Sequence, residues 1–172
     1  MSTKTERDLF DRLGRPDRIR RLAGYDLFHP ALRARLDALA TRAATGLEAP
    51  VALVSVVLDS AQFILGGHGV GGWVAQSQGI PAEWSLCART VLDGKPYRVG
   101  DSRTEPACAD NPMLELTGLA SYAGVPLIDD SGQVLGSHCV LDVHPRTFTD
   151  AEVAVLSAGA DEAIEILAAH RR

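Results

Sequence analysis

The sequence predicts an α+β domain, an antiparallel sheet with helices packed on it. Three observations carry this. Two pairs of apolar runs are joined by tight turns, so each pair reads as a hairpin. The runs are rich in β-branched residues, "VALVSVVL" at 51–58 above all, as buried strands are. Helical periodicity flanks the strands at both ends of the chain, which places helices against the sheet.

The elements follow in order. Residues 3–13 read as a short helix with Thr3 or Thr5 as cap, Leu9 and Leu13 on one face, and Gly14 and Pro16 as its stop. Residues 15–29 read as a basic linker. Leu32, Leu36, Leu39, Ala43 and Leu47 recur at spacings of four, three, four and four, an amphipathic helix ending near Gly46. Strands at 51–58 and 61–65 form the first hairpin around Asp59-Ser60. "GGHGVGG" is a glycine-rich loop, 84–93 a helix closed by Gly94, "PYRVGD" a short strand, and Pro112 opens a brief helical turn. Strands at 122–128 and 133–142 flank "DDSG", where Gly132 takes a positive φ. Thr149 caps the last helix with Glu152 three residues on, Phe148 and Val153 staple it, and Val153, Leu156, Ala160, Ala163 and Leu167 form a seam for a helix of this chain or of a second copy.

Length and charge narrow the classes. The 172 residues divide into an N-terminal helix with basic linker, 1–29, and a main domain, 30–172. Residues 1–42 carry ten Lys and Arg against six Asp and Glu; the rest carry seven against sixteen. An acidic main domain is a poor nucleic-acid partner, and the basic flank reads as a solvated surface packed on it. No run of eighteen apolar residues and no apolar leader occurs, so no membrane span or secretory signal is expected. Cys87, Cys108 and Cys139 are odd in number and widely spaced, which points to free thiols and a cytoplasmic setting. None of the short spacings typical of zinc sites occurs, so no metal site is expected. "GGHGVGG" formally holds G-x-G-x-x-G, but a phosphate cradle needs a parallel βαβ unit, and here the preceding strand belongs to a hairpin.

"SLCARTVLDGKPYRVGDSRTEPACADNP" followed by "SYAGVPLIDDSGQVLGSHCVLDVHPRTFTDAE" resembles a GAF domain. The likeness is to a bacterial subgroup with S-F-C, D-N-P, Y-A-G-x-P-L, D-G-x-x-L-G and P-R motifs in this order, and it covers about 30–168. Leu86 stands where that subgroup has an aromatic, and Ala120-Ser121 where an Arg-Phe-like pair is common, which thins the aromatic lining. The resemblance implies a central antiparallel sheet of five to six strands, terminal helices on one face, and a small-molecule pocket on the sheet under loops and helices. It implies a sensory module, commonly a dimer, with ligands as varied as cyclic nucleotides, bilins and haem; no single cofactor is named by it. One enzyme branch of the family, the free methionine-(R)-sulfoxide reductases, works through pocket cysteines.

The candidate ligand-binding residues are Trp73, Cys87, Asp101, Asp110, Asn111, Tyr122, His138 and Asp142. Trp73 covers either the pocket or the core edge. Cys87, with Arg89 and Arg103 as neighbours, is the better placed thiol. Asp101 either pairs with Arg103 or meets ligand, and Asp110-Asn111 forms an Asx turn sealing the pocket. Alternation along the strand puts His138, Val140 and Asp142 on one face and Cys139 and Leu141 on the other; the pattern leaves open which face lines a pocket. The expectation is a non-catalytic small-molecule sensor, a homodimer acting on a separate signalling protein, with no catalytic residue. Its rivals are a thiol redox enzyme using Cys87 with Cys108 or Cys139, and a ligand-free dimerisation scaffold.

Overall fold

The computed structural model describes residues 3–77 and 79–172, the side chains of Thr3 and Trp73 excepted. The order is α1 (Thr3–Leu13), α2 (Pro16–Ala23), α3 (Pro30–Gly46), β1 (Val51–Val57), β2 (Ala61–His68), α4 (Gly72–Ser77), β3 (Gly79–Pro81), α5 (Leu86–Asp93), β4 (Tyr97–Val99), α6 (Pro112–Thr117), β5 (Ser121–Ile128), β6 (Val134–Asp142) and α7 (Asp150–Ala168). The six strands form one sheet, β3-β2-β1-β6-β5-β4, antiparallel at every pairing. This is the α+β fold that the hairpins predict, with the 121–142 hairpin inside the sheet.

Two apolar layers cover the sheet. Leu32, Leu36 and Leu39 of α3 and Leu156, Ala163 and Leu167 of α7 pack on one face with Val54, Val125 and Val140. The α7 seam is therefore filled by this chain's own α3 and sheet. Thr149 Oγ1 accepts from Glu152 N at 3.1 Å, and Phe148 and Val153 are both buried in that layer. The Glu152 carboxylate is held by Arg146, 3.3 Å away, rather than completing the capping box. On the other face lie α5, Leu13 of α1, and Cys139 and Leu141 of β6.

The stretch read as a linker differs most from expectation. Residues 16–23 are a helix with Pro16 in its first turn. Leu22 is buried in the α3/α7 layer while Leu13 is buried in the opposite one, so α1 and α2 wrap round one end of the sheet. Arg18 sits in the corner, 6% exposed. Its guanidinium donates to the carbonyls of Leu13 (2.9 Å), Val134 (2.7 Å), Leu135 (3.1 Å) and Val57. Arg21 bonds Asp129 and Asp130 of the β5–β6 turn, and Arg171 reaches Asp130 at 2.7 Å. The basic flank thus packs on acidic groups of the body, as its charge foretold.

The turn is tied from within as well. Gly132 has φ +81°, as a three-residue hairpin loop requires. Asp129 accepts from Ser131 Oγ (2.6 Å), Ser131 N (2.9 Å), Tyr25 Oη (3.1 Å) and Arg21. Burial pushes its pKa up, but these donors together outweigh it and hold the carboxyl at about 2. A depressed carboxyl stabilises the fold above its unfolded value and loses that contribution as pH falls. Wild type should lose about 2 kcal/mol more than Asp129→Asn between pH 4 and pH 2. Urea titrations at both pH values check this; parallel losses would refute the assignment.

β2 runs past the predicted end at Leu65 through Gly66 and Gly67 to His68. A Cβ on Gly66 would lie 2.4 Å from Leu36 Cβ and 2.5 Å from the Leu36 carbonyl carbon. Glycine here lets α3 lie directly on the strand, and Asp37 Oδ1 accepts from Gly67 N at 2.8 Å. Part of the glycine-rich segment is therefore a close-packed strand. Only its end is a loop, and the helix that follows has six residues after an antiparallel strand, which gives no phosphate cradle.

Candidate functional site

A cavity of about 460 Å³ lies on the sheet face opposite α3 and α7. Its floor is Leu53, Gln62, Ile64, Tyr122, Cys139 and Leu141. Val70 and Val74 border it from the 69–71 loop and α4, Trp84 from the turn before α5, Leu86 and Cys87 from the start of α5, and Met113, Leu114 and Thr117 from α6. Ligand pockets commonly span about 300–1,000 Å³ and are mostly apolar, which describes this one.

Local chemistry sets each wall. Ser85 caps α5, its Oγ accepting from Ala88 N at 3.0 Å, and Gly94 ends the helix at φ +62°. That cap holds Cys87 in the first turn, over the sheet. Asn111 caps α6 by accepting from Met113 N at 3.0 Å, and its amide donates to Trp84 O at 3.2 Å. Asn111 thus ties the α6 wall to the segment before α5 from behind the lining.

The polar side chains on the floor satisfy one another. Gln62, 1% exposed, donates to Ser55 Oγ (2.9 Å) and Cys87 Sγ (3.4 Å) and accepts from Ser85 Oγ. Tyr122 Oη lies 2.8 Å from Thr90 Oγ1, 3.2 Å from Ser137 Oγ and 3.5 Å from Cys87 Sγ. Burial pushes the Tyr122 hydroxyl well above the ordinary phenol value.

Cys87 and Cys139 meet at the floor, sulfur to sulfur 3.7 Å. Hydrogen bonding from Cys139 lowers the Cys87 pKa, with Tyr122, Ser137 and Gln62 acting in the same direction against burial. Burial, with Cys87 beside it, pushes Cys139 well above the ordinary thiol value. Burial also raises Cys108, which lines a separate depression. Iodoacetamide at pH 7.5 should therefore label Cys87 ahead of Cys108 and Cys139, read by peptide mass spectrometry. Labelling of Cys139 first would contradict this geometry.

The structure distributes the other candidate residues widely. Cys87 and Tyr122 line the cavity. Trp73 belongs to α4, but its side chain lies outside the described residues. Asp101 is paired with Arg103, Oδ1 to Nε 3.0 Å and Oδ2 to Nη2 2.9 Å, in an exposed loop. Asp110 and Asn111 border the depression that holds Cys108. His138 is 1% exposed on the opposite face; its Nδ1 donates to Leu53 O at 2.9 Å, and burial lowers its pKa. A Cβ on Gly159 of α7 would lie 2.9 Å from the His138 ring, so the helix rests on that imidazole. Asp142 accepts from His144 N at 3.1 Å and meets Arg146 at 3.4 Å, also away from the cavity. Cys139 and Gln62, absent from the candidates, are on the floor. Gln62 left one sequence signal, a polar residue inside the apolar run "AQFIL".

The GAF domain family pattern matches residues 31–166. A cyclic di-GMP phosphodiesterase of Pseudomonas aeruginosa is 32% identical over 111 residues, 63% of this chain and 18% of that protein, so the chain spans under a fifth of this relative's length. The GAF domain of a phosphoenolpyruvate-protein phosphotransferase from Coxiella burnetii superposes with TM-score 0.67 at 17% identity, over 94% of this chain and 95% of that one. Free methionine-R-sulfoxide reductase from Neisseria meningitidis superposes with TM-score 0.65 at 17% identity, over 98% and 93%. Likeness at these identities establishes the shared fold.

Proposed function

The chain belongs to the GAF domain family, and on that premise we propose that residues 30–172 form a sensory module that binds a small molecule and has no catalysis of its own. The observation that supports this is the cavity of about 460 Å³, walled by α5 and α6 and floored by the sheet. Cys87 and Tyr122 are the ligand-lining members of the candidate set. Asn111 positions the wall. The helices α3 and α7, on the far face, pass the response to a second copy of the chain and to a separate signalling protein. Val155, 51% exposed on α7, gives that helix an apolar outward contact for such a dimer. The setting in keeping with three reduced cysteines is the cytoplasm. Among the described residues no helix is long and apolar enough to cross a membrane.

The rival redox enzyme has less support with Cys108 as the second thiol, because Cys108 lines a different depression. With Cys139 it has the closer geometry, 3.7 Å from Cys87, but Cys139 is fully buried and burial holds its thiol well above the ordinary value. Native mass spectrometry of protein isolated from its own host tests the sensor reading. A retained small molecule that is lost on Tyr122→Ala and raises the melting temperature when returned is the expected result. Protein that emerges empty, with no metabolite shifting its melting, would overturn it.

A further inference from the structure

Resting on the reading of this cavity as a ligand site, we infer that its guest is a neutral, lipophilic small molecule with no ionised group. The first ground is charge. Among the described side chains lining the cavity, none is Asp, Glu, Lys, Arg or His. A buried ion without a partner is costly, so phosphates, carboxylates and ammonium groups would enter against a large desolvation penalty. A cyclic nucleotide brings a phosphate, and a free amino acid brings an ammonium and a carboxylate. Neither finds a counter-ion in this lining.

The second ground is donor accounting. Both Gln62 amide hydrogens are used, on Ser55 and Cys87. Tyr122 has one hydroxyl hydrogen and three neighbours that accept or share it, Thr90, Ser137 and Cys87. Thr117 donates to Met113 O at 2.6 Å. A guest rich in acceptors would find these donors engaged, and competing for them would break buried bonds. What the cavity offers is apolar surface from Leu53, Ile64, Val74, Leu86, Met113 and Leu141. Such a surface selects by shape and burial, and it takes hydrocarbon, aryl or isoprenoid-like bodies.

A matched probe series of one chain length tests this: octanol, octanoate and octylammonium, each displacing N-phenylnaphthylamine fluorescence from the full chain. Octanol should displace the dye, and both ions should compete at least about 100-fold more weakly. Equal displacement by all three would overturn the ligand class while leaving the cavity reading intact. Failure of the dye and of octanol to bind at all would overturn both. Met113→Lys, on the α6 wall rather than in the sheet, should shift preference toward octanoate at least about tenfold. If Met113→Lys does not fold, Leu116→Lys serves, since Leu116 is 64% exposed while bordering the same cavity. A lysine that leaves the octanol-to-octanoate ratio unchanged in a folded protein would count against the inference.

Discussion

Replacing Arg18 with alanine is expected to cost about 3–5 kcal/mol of folding stability, a large effect for a residue outside the region that matches the family pattern. Its guanidinium is the shared donor for four carbonyls, that of Leu13 at the end of α1 and those of Val57, Val134 and Leu135 at the end of the sheet. Burial lowers its pKa to about 10, which leaves it charged at neutral pH. Alanine would strip that donor and leave several buried oxygens without a partner, each worth about 1–3 kcal/mol before water enters. Arg18→Lys should recover only part of the loss, since an ammonium cannot match the planar fork. Denaturant midpoints with an unchanged m-value would check the result. A loss below 1 kcal/mol for Arg18→Ala would mean that water already serves these carbonyls.

Gly66→Ala is expected to cost about 3 kcal/mol. The added methyl would meet Leu36 Cβ at 2.4 Å and Asp37 N at 2.8 Å, and two of its three nearest neighbours are main-chain atoms that cannot swing aside. Relief requires α3 to lift from β2, which strains the Asp37 bond to Gly67 N. Gly46→Ala is the control. Nothing lies within 4 Å of a Cβ there, at the end of the same helix, and the change should be neutral or stabilising by up to about 1 kcal/mol. Similar outcomes at the two positions would show that the helix has slack over the strand.

Elements whose signals are local were legible in the sequence. The Thr149 cap, the Gly132 turn and the hairpin partners all follow from neighbours a few positions apart. The helix over 16–23 was hidden because "PDRIRRLAG" reads as a solvated charge run, and its buried member is an arginine. Nothing in sequence marks an arginine whose partners are main-chain carbonyls of residues up to 117 positions away. Strand alternation sorted His138 from Cys139 correctly. Choosing between the faces needed the helices, because both faces of β6 are buried. The meeting of Cys87 and Cys139, 52 positions apart, is likewise a product of α5 lying across the sheet. An apolar run reads the same whether it ends in a packed core or borders a hollow, so the cavity itself left no trace in the pattern.

One peptide link joins Cys139, at the cavity floor, to His138, against which Gly159 packs so closely that a methyl there would lie 2.9 Å from the ring. The pleat of β6 therefore sets a cavity-floor thiol and the imidazole under α7 on consecutive residues that face opposite ways. The same strand that walls the hollow off from α7 is thus also the shortest covalent path from one to the other.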